Sequence, residues 1–419
     1  MTNVETAHRN IDELPILDEI EAPDFGADLA TMARNRFENP YQGLLRTSTG
    51  QPVAYRNSDV FECLNSSNFT HFTYESQAAF AEALPPEERK GWNRFWKSSS
   101  FVKRAPEHQP LKNLSSRRLA MKVMDRYRDV ASKVFQERLL VVADGSTIDY
   151  ADDFVKPAIN EFMRRITGLG HDEFDPIAKS GFGFAYYSSP LDPSIDQVRE
   201  ASLSVDDYLE RFGSALNRQI ERGEPELARE LGADFNKMSE HDKPVSAGEA
   251  FADSLLDAFH TMVGLVSAVN MELTKHPDVW AQVSADPGLI SAAYLEASRL
   301  HPGAIVHERD AVVDTVLDGV AIPAETSVLL LLTFANLDPE VFPDPAAFKL
   351  ERANRNKQVT FGGGRYTCTG RHLARMISEE AIRVMTRPNV EIALEGEVTW
   401  EPAYTLHVPS SMPVSIKLH

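Results

Sequence analysis

The stretch Phe361-Gly362-Gly363-Gly364-Arg365-Tyr366-Thr367-Cys368-Thr369-Gly370 runs directly into Arg371-His372-Leu373-Ala374-Arg375-Met376-Ile377-Ser378. Three glycines in a row give a backbone that can turn sharply and lie close to a flat neighbour, because no Cβ stands in the way. They deliver one cysteine to the start of a helix, where unpaired backbone N–H groups and the positive helix end favour a thiolate. A thiolate is a ligand for soft or redox metals. The run is not a phosphate loop, since no Gly-Lys-Ser/Thr follows, and its spacing does not fit G-x-G-x-x-G after a strand.

A cysteine inside a cell is most often a small buried apolar residue. The spacing of Phe361, Gly364, Cys368 and Gly370 points elsewhere: it resembles the F-x-x-G-x-[HR]-x-C-x-G loop of the cytochrome P450 family. The resemblance implies that Cys368 is the axial thiolate ligand of a haem b iron, with Phe361 among the cofactor-binding residues. Tyr366 departs from the pattern, which has His or Arg there to meet a haem propionate. A phenol keeps one hydrogen bond and loses the charge.

The chain has 419 residues and a net charge of −19, with two cysteines, Cys63 and Cys368. With one cysteine committed to a metal, no disulfide framework exists and a reducing cytoplasm is the expected home. The acidic balance argues against nucleic acid as a partner. Residues 1–21 lack a basic-then-apolar leader, and no apolar stretch reaches the ~18 residues of a membrane span. No linker, repeat or low-complexity segment divides the chain. The expected organisation is an N-terminal segment over 1–26 and a single domain over 27–419. A locally basic run, Lys112, Arg117, Arg118, Lys122, Arg126, Arg128 and Lys133, with Arg355 and Lys357, is either an ordinary solvated face or a docking face. In the family that side receives an electron donor, which implies an acidic ferredoxin or flavodoxin with its NAD(P)H reductase.

In chain order, about 27–47 reads as a helix, Gln51 to Tyr55 as a strand and Asp59 to Asn65 as a helix. Aromatics crowd Phe69 to Phe101 without clean periodicity, by position the loop covering the substrate side. His108 and Lys112 resemble P-E-H-x-x-x-R, lie four apart on one helix face and can both donate to a propionate. Lys keeps the charge of the usual Arg without its fork. Helices follow at about 125–142 and 154–168. Gly181 to Pro190 reads as a mobile access lid carrying Phe182 and Phe184, residues 192–222 as its second helix and 223–248 as solvated connection.

Ala250 to Lys275 reads as one long apolar helix. It holds Asp257-Ala258-Phe259-His260-Thr261 where the family has [AG]-G-x-[DE]-T, so His260 replaces the acid. A lone histidine or threonine in such a helix is commonly structural. The resemblance places the Thr261 hydroxyl over the iron, and Asp257, His260 and Thr261 form a candidate proton relay, His260 having an unperturbed pKa of ~6.5. Glu296 and Arg299 match the E-x-x-R pattern and with Arg352 imply the family's buried lock. Arg309 would pair with a propionate, while Ile305, Val306, His307 and Val408 would face substrate.

The resemblance covers about residues 30–415. It implies a mainly α fold with a small β portion, the triangular prism of helices around haem. It also implies a monooxygenase that inserts one oxygen atom of O2 into a C–H bond or uses it to demethylate an ether, and the aromatic residues suggest a small aromatic or planar substrate. A peroxide-using peroxygenase and a non-catalytic haem sensor are the alternatives at this stage.

Overall fold

The computed structural model describes residues 8–22, 24–104, 106–188, 193–256, 258–401 and 404–419. Its helices include α1 (Asn57–Asn65), α2 (Lys90–Ser98), α3 (His108–Arg118), α4 (Lys156–Thr167), α5 (His171–Ser188) and α6 (Ile195–Tyr208). They continue as α7 (Glu226–Asn236), α8 (Ala247–Leu255), α9 (Ala258–Lys275), α10 (Ile290–Leu300) and α11 (Arg371–Met385). The main sheet has five short strands, β1 (Leu45–Arg46), β2 (Pro52–Ala54), β3 (Phe69–Thr70), β4 (Val306–Ala311) and β5 (Ser327–Leu331), in the order β1-β2-β5-β4-β3. Only the β2/β5 pairing is parallel. The fold class is as expected: mainly helical with a small β portion.

The centre of the helical body is α9, whose residues from Met262 to Leu273 are all buried. A helix apolar on every side has to be enclosed by neighbours. It packs against α10 and α11, and α11 brings its own buried stripe from Leu373 to Met385. The sheet stands to one side, and β4 passes from it back toward α9.

Several segments differ from the sequence reading. The helix expected over 27–47 covers only Leu29–Glu38 and stops before Asn39-Pro40, where proline disfavours helix in the preceding residue. The aromatic stretch holds two helices, one of them α2. Residues 181–188 are not a loop but the last part of α5. Their glycines serve packing: a Cβ on Gly181 would stand 3.2 Å from the Tyr208 ring, and one on Gly183 would stand 2.7 Å from Ser204 Oγ, both in α6. Ser189 and Pro190, the expected end of the lid, lie outside the described residues. The supposed connection 223–248 contains α7, whose Leu227, Ala228 and Leu231 are buried at helical spacing. The strand expected over 328–334 ends at Leu331, and Leu332–Asn336 is helical. Of the helix expected over 250–275, the described residues form α8, which starts earlier, at Ala247, and α9, with Asp257 between them outside the described residues.

The strongest polar feature of the interior is an ion triad. Glu296 and Arg299 stand three apart on α10, one turn of one face. Arg299 donates Nη2 to Glu296 Oε1 at 2.7 Å and Nε to Oε2 at 3.1 Å, and Arg352 donates Nε to the same Oε1 at 2.7 Å. Their remaining donors reach the backbone carbonyls of Asn336, Pro343, Pro345 and Ala347. All three residues are buried. Removing one partner leaves an uncompensated buried charge at a cost of about 3–5 kcal/mol. Glu296→Ala should therefore lower the urea unfolding free energy by roughly that amount, whereas an exposed pair such as Lys349–Asp344 should contribute less than about 1 kcal/mol.

Candidate active site

The cysteine loop is held from both ends. Val359 N–H donates to Asn336 Oδ1, Thr360 Oγ1 donates to the Ser298 carbonyl of α10, and Cys368 N–H closes the turn onto the Phe361 carbonyl at 2.9 Å. Phe361 packs half-buried against the main core. Gly362 and Gly364 have φ of 68° and 59°, in the left-handed region. A Cβ on Gly364 would stand 2.6 Å from the Leu64 carbonyl of α1. The glycines thus let the loop seat on the C-terminal end of α1. Cys368 is exposed and lies three residues before Arg371, the first residue of α11, with Gly370 as the cap.

Beside it lies a cluster of cationic and imidazole groups. His108 and Lys112 share one face of α3, and Lys112 Nζ donates to the Arg365 carbonyl. That carbonyl also acts on His108, yet neither buried ring nitrogen of His108 makes a well-formed hydrogen bond. Burial lowers the Lys112 pKa to about 8 against the opposing pull of Cys368. Arg309 on β4 is 1% exposed, and burial brings its pKa down to about 10. Tyr366 sits at the centre: its ring centroid is 4.8 Å from that of His108 and 4.2 Å from that of His71, with the Arg309 guanidinium 5.5 Å away. The Tyr366 hydroxyl is shared with Thr70 Oγ1 at 2.7 Å. His108, Lys112 and Arg309 carry no carboxylate partner among the described residues. Buried cations without counter-ions are unfavourable alone, so the cluster suits a group bearing anions at its edge. One cysteine facing such a cluster fits haem, a metal macrocycle with two carboxylates.

The other wall is built around Thr261. A Cβ on Gly303 would stand 3.1 Å from both Thr261 Cβ and its carbonyl, so only glycine lets the chain before β4 pass α9 this closely. Ala304 bridges Leu406, His407 N–H donates to the Gly303 carbonyl, and Ile305 N–H donates to Thr405. Thr261, Ile305 and the buried Val408 are thereby gathered. The chain then runs from Ile305 through β4 to Arg309, four residues or about 13 Å, linking this group of residues to the cationic cluster. Val306 and His307 lie between, and burial lowers the His307 pKa to about 3.

Three expected residues behave differently. Phe184 is buried against Trp92 and Phe95 of α2, while Phe182, on the opposite side of α5, lies between the Lys156 ammonium and His260. His260 meets the Phe182 carbonyl through Nε2 at 2.9 Å, which makes Nε2 the protonated nitrogen. Burial pushes its pKa to about 4, not the 6.5 expected of a neutral-pH shuttle. Asp257 lies outside the described residues. The basic face is largely neutralised: Arg118 and Arg126 pair with Glu230, Arg128 with Glu379 and Glu380, and Arg117 with Asp234. Arg355, Lys357, Arg365 and Arg371 keep no carboxylate partner among the described residues. Two features escape sequence reasoning. One is buried His71, on Arg309. The other is the stack of Trp400 on His407, 3.7 Å between centroids, with His301 tied to Glu272 behind it. Neither belongs to a motif; register and packing alone bring them together.

A family model described as Cytochrome P450 matches residues 288–385. The chain is 28% identical to the 6-deoxyerythronolide B hydroxylase of Saccharopolyspora erythraea over 74% of this chain and 76% of that one. It is 26% identical to the cytochrome P450 monooxygenase PikC of Streptomyces venezuelae, over 74% of each. Among solved structures, epothilone B-bound cytochrome P450epoK superposes with a TM-score of 0.83 at 19% identity, over 96% of this chain and 100% of that one.

Two outcomes follow from the site's packing. Gly364→Ala forces a left-handed alanine against a carbonyl and should cost at least about 1–3 kcal/mol in urea unfolding. His71, His260, His307 and His407 are all held below the usual imidazole range by burial. Unfolded, they take up protons near pH 6.5; folded, they do not, so stability should fall as pH drops from about 6.5 toward 4. His307→Gln should flatten that slope in urea midpoints measured across the window.

Proposed function

The chain belongs to the cytochrome P450 family and is a haem-dependent monooxygenase, and on that premise we propose that it oxidises a small aromatic compound by hydroxylation or O-demethylation. Bound haem b, held through a cysteine thiolate, supplies O2 activation, the thiolate pushing electron density toward O–O cleavage. The observation that carries the assignment of parts is the pairing of an exposed Cys368 with a carboxylate-free cluster of His108, Lys112 and Arg309, joined by β4 to the Thr261 chamber.

Cys368 would ligate the metal, Phe361 would contact the macrocycle, and His108, Lys112 and Arg309 would hold its carboxylates, with Tyr366 between them. Thr261 offers its hydroxyl on the substrate side, where it can hold a proton for delivery. Glu296, Arg299 and Arg352 fix the segment leading to the loop. Ile305, Val306 and Val408 supply apolar walls. Trp92, Phe95 and Phe184 pack on one another in the core, and the partly buried rings of Phe72 and Trp96, edge to face, are the aromatic groups that support a compact, flat substrate. Electrons come from NAD(P)H through a reductase and an acidic ferredoxin or flavodoxin. Its docking face is the uncompensated set Arg355, Lys357, Arg365 and Arg371. No described helix is long and apolar enough to cross a membrane, and a cytoplasmic setting suits the unbridged cysteines.

His260 does not support direct peroxide use, because its proton is spent on the Phe182 carbonyl and the ring is neutral near pH 7. It acts as a tie between α9 and α5, with Thr261 and Asp257 left to the proton path. His260→Ala should speed amide hydrogen exchange around Phe182 in α5 and leave the pH profile of turnover between 6 and 8 unchanged. A profile that shifts in that window would make His260 a proton carrier after all.

The reading is tested by titrating the ferric protein with methoxyphenols and other small arenes, with macrolactones and fatty acids alongside, following the haem absorption band. Saturable high-spin conversion by one small aromatic class, followed by O2-dependent oxidation of that compound with electron-donor proteins present, is expected. A shift produced only by macrolactones or fatty acids would overturn the substrate class.

A further inference from the structure

We propose that His71, a residue outside every motif of the chain, is a fourth binding group for the haem carboxylates beside His108, Lys112 and Arg309, serving from the end of β3 the role that the loop pattern gives to position 366. The inference rests on the haem reading above and concerns only which residues hold the ring's edge.

The argument begins with register. Strand β3 pairs with β4 so that Thr70 faces Asp310, and the next residue, His71, therefore comes alongside Arg309. His71 is 4% exposed, enclosed edge-on by Phe72, Phe101 and Tyr366. Its Nδ1 lies 3.2 Å from Arg309 Nη1. A guanidinium can only donate, so Nδ1 is the lone-pair nitrogen and the ring proton is on Nε2. That leaves Nε2–H as a donor in the cluster that already holds Arg309 and His108. Burial among Arg309, His307, Lys112 and His108 keeps the ring neutral, which fixes this tautomer.

Tyr366 meanwhile shares its hydroxyl with Thr70, the residue before His71, and turns its ring to both histidines. The Thr70-His71 pair and Tyr366 are thus one unit: the tyrosine braces the strand, and the strand presents an imidazole where the family's loop carries one. An N–H to a carboxylate is a charge-assisted hydrogen bond, among the stronger kinds. Losing it should speed cofactor release by roughly tenfold to a hundredfold.

The test measures the rate at which the loaded protein gives up haem to an excess of a haem-free scavenger globin. His71→Gln keeps an N–H at the ε position and should release haem at close to the parent rate. His71→Asn places its amide only at the δ position, and with His71→Leu it should release haem roughly tenfold to a hundredfold faster. Adding Tyr366→His to His71→Asn, which restores an imidazole at the loop position, should slow release again. Should His71→Leu fail to fold, the Gln and Asn variants, both polar and similar in size, decide the matter. Equal release from Gln and Asn variants at the parent rate would overturn the role of His71 and leave the haem reading intact. A parent chain that takes up no haem would overturn the haem reading and this role with it.

Discussion

One carboxylate, that of Glu296, holds two guanidiniums from segments more than fifty residues apart, and the site hangs from that arrangement. Arg299 and Arg352 spend their other donors on carbonyls between Asn336 and Ala347, so the irregular stretch leading to the cysteine has a fixed path. The same helix supplies the Ser298 carbonyl that receives Thr360, and Asn336 reaches both Thr360 and Val359. Buried ion pairs are poor sources of net stability, since desolvation offsets most of the attraction. What this one contributes is position. A helix, a meander and the cysteine loop are set to one another by charge-assisted bonds that tolerate little displacement.

The motif residues were legible because their chemistry dictates their spacing. Cys368 needs a turn before a helix, Glu296 and Arg299 need one helical turn between them, and His108 and Lys112 need one shared face. What was misread was glycine. Gly181 and Gly183 beside aromatics suggest a loop, because sequence shows a glycine's freedom but not its neighbour. In the fold they are places where α6 presses on α5, a use of the missing Cβ that only the partner helix reveals. The helix α7 was hidden for the opposite reason: a charged surface helix with a narrow apolar stripe resembles solvated chain, and its acids turn out to neutralise the basic run of α3 and its neighbours.

The candidate site divides along the same line. Residues set by a local pattern carry their candidacy in the sequence; those brought in by long-range register do not. His71 stands where β3 meets β4, 238 positions from Arg309, and nothing in its immediate sequence marks it. His260 shows a related limit. Its position beside Thr261 is readable, but its carbonyl partner on α5 and the depth that depresses its pKa belong to packing. An unperturbed pKa is a property of a residue in water, and enclosure changed the role the ring can play.

The cationic cluster also bears on how the protein lives in a cell. Groups that repel one another and lack a carboxylate weaken a folded chain until an anionic partner arrives, and a ligand that binds only the folded form stabilises it in proportion to the logarithm of its free concentration. The abundance of this enzyme is then coupled to cofactor supply: chains made when the macrocycle is scarce spend more time open to proteolysis, while those made in plenty persist. On the proposed reading, the charge pattern that would seat the ring is in this way also a quality control on the unloaded protein.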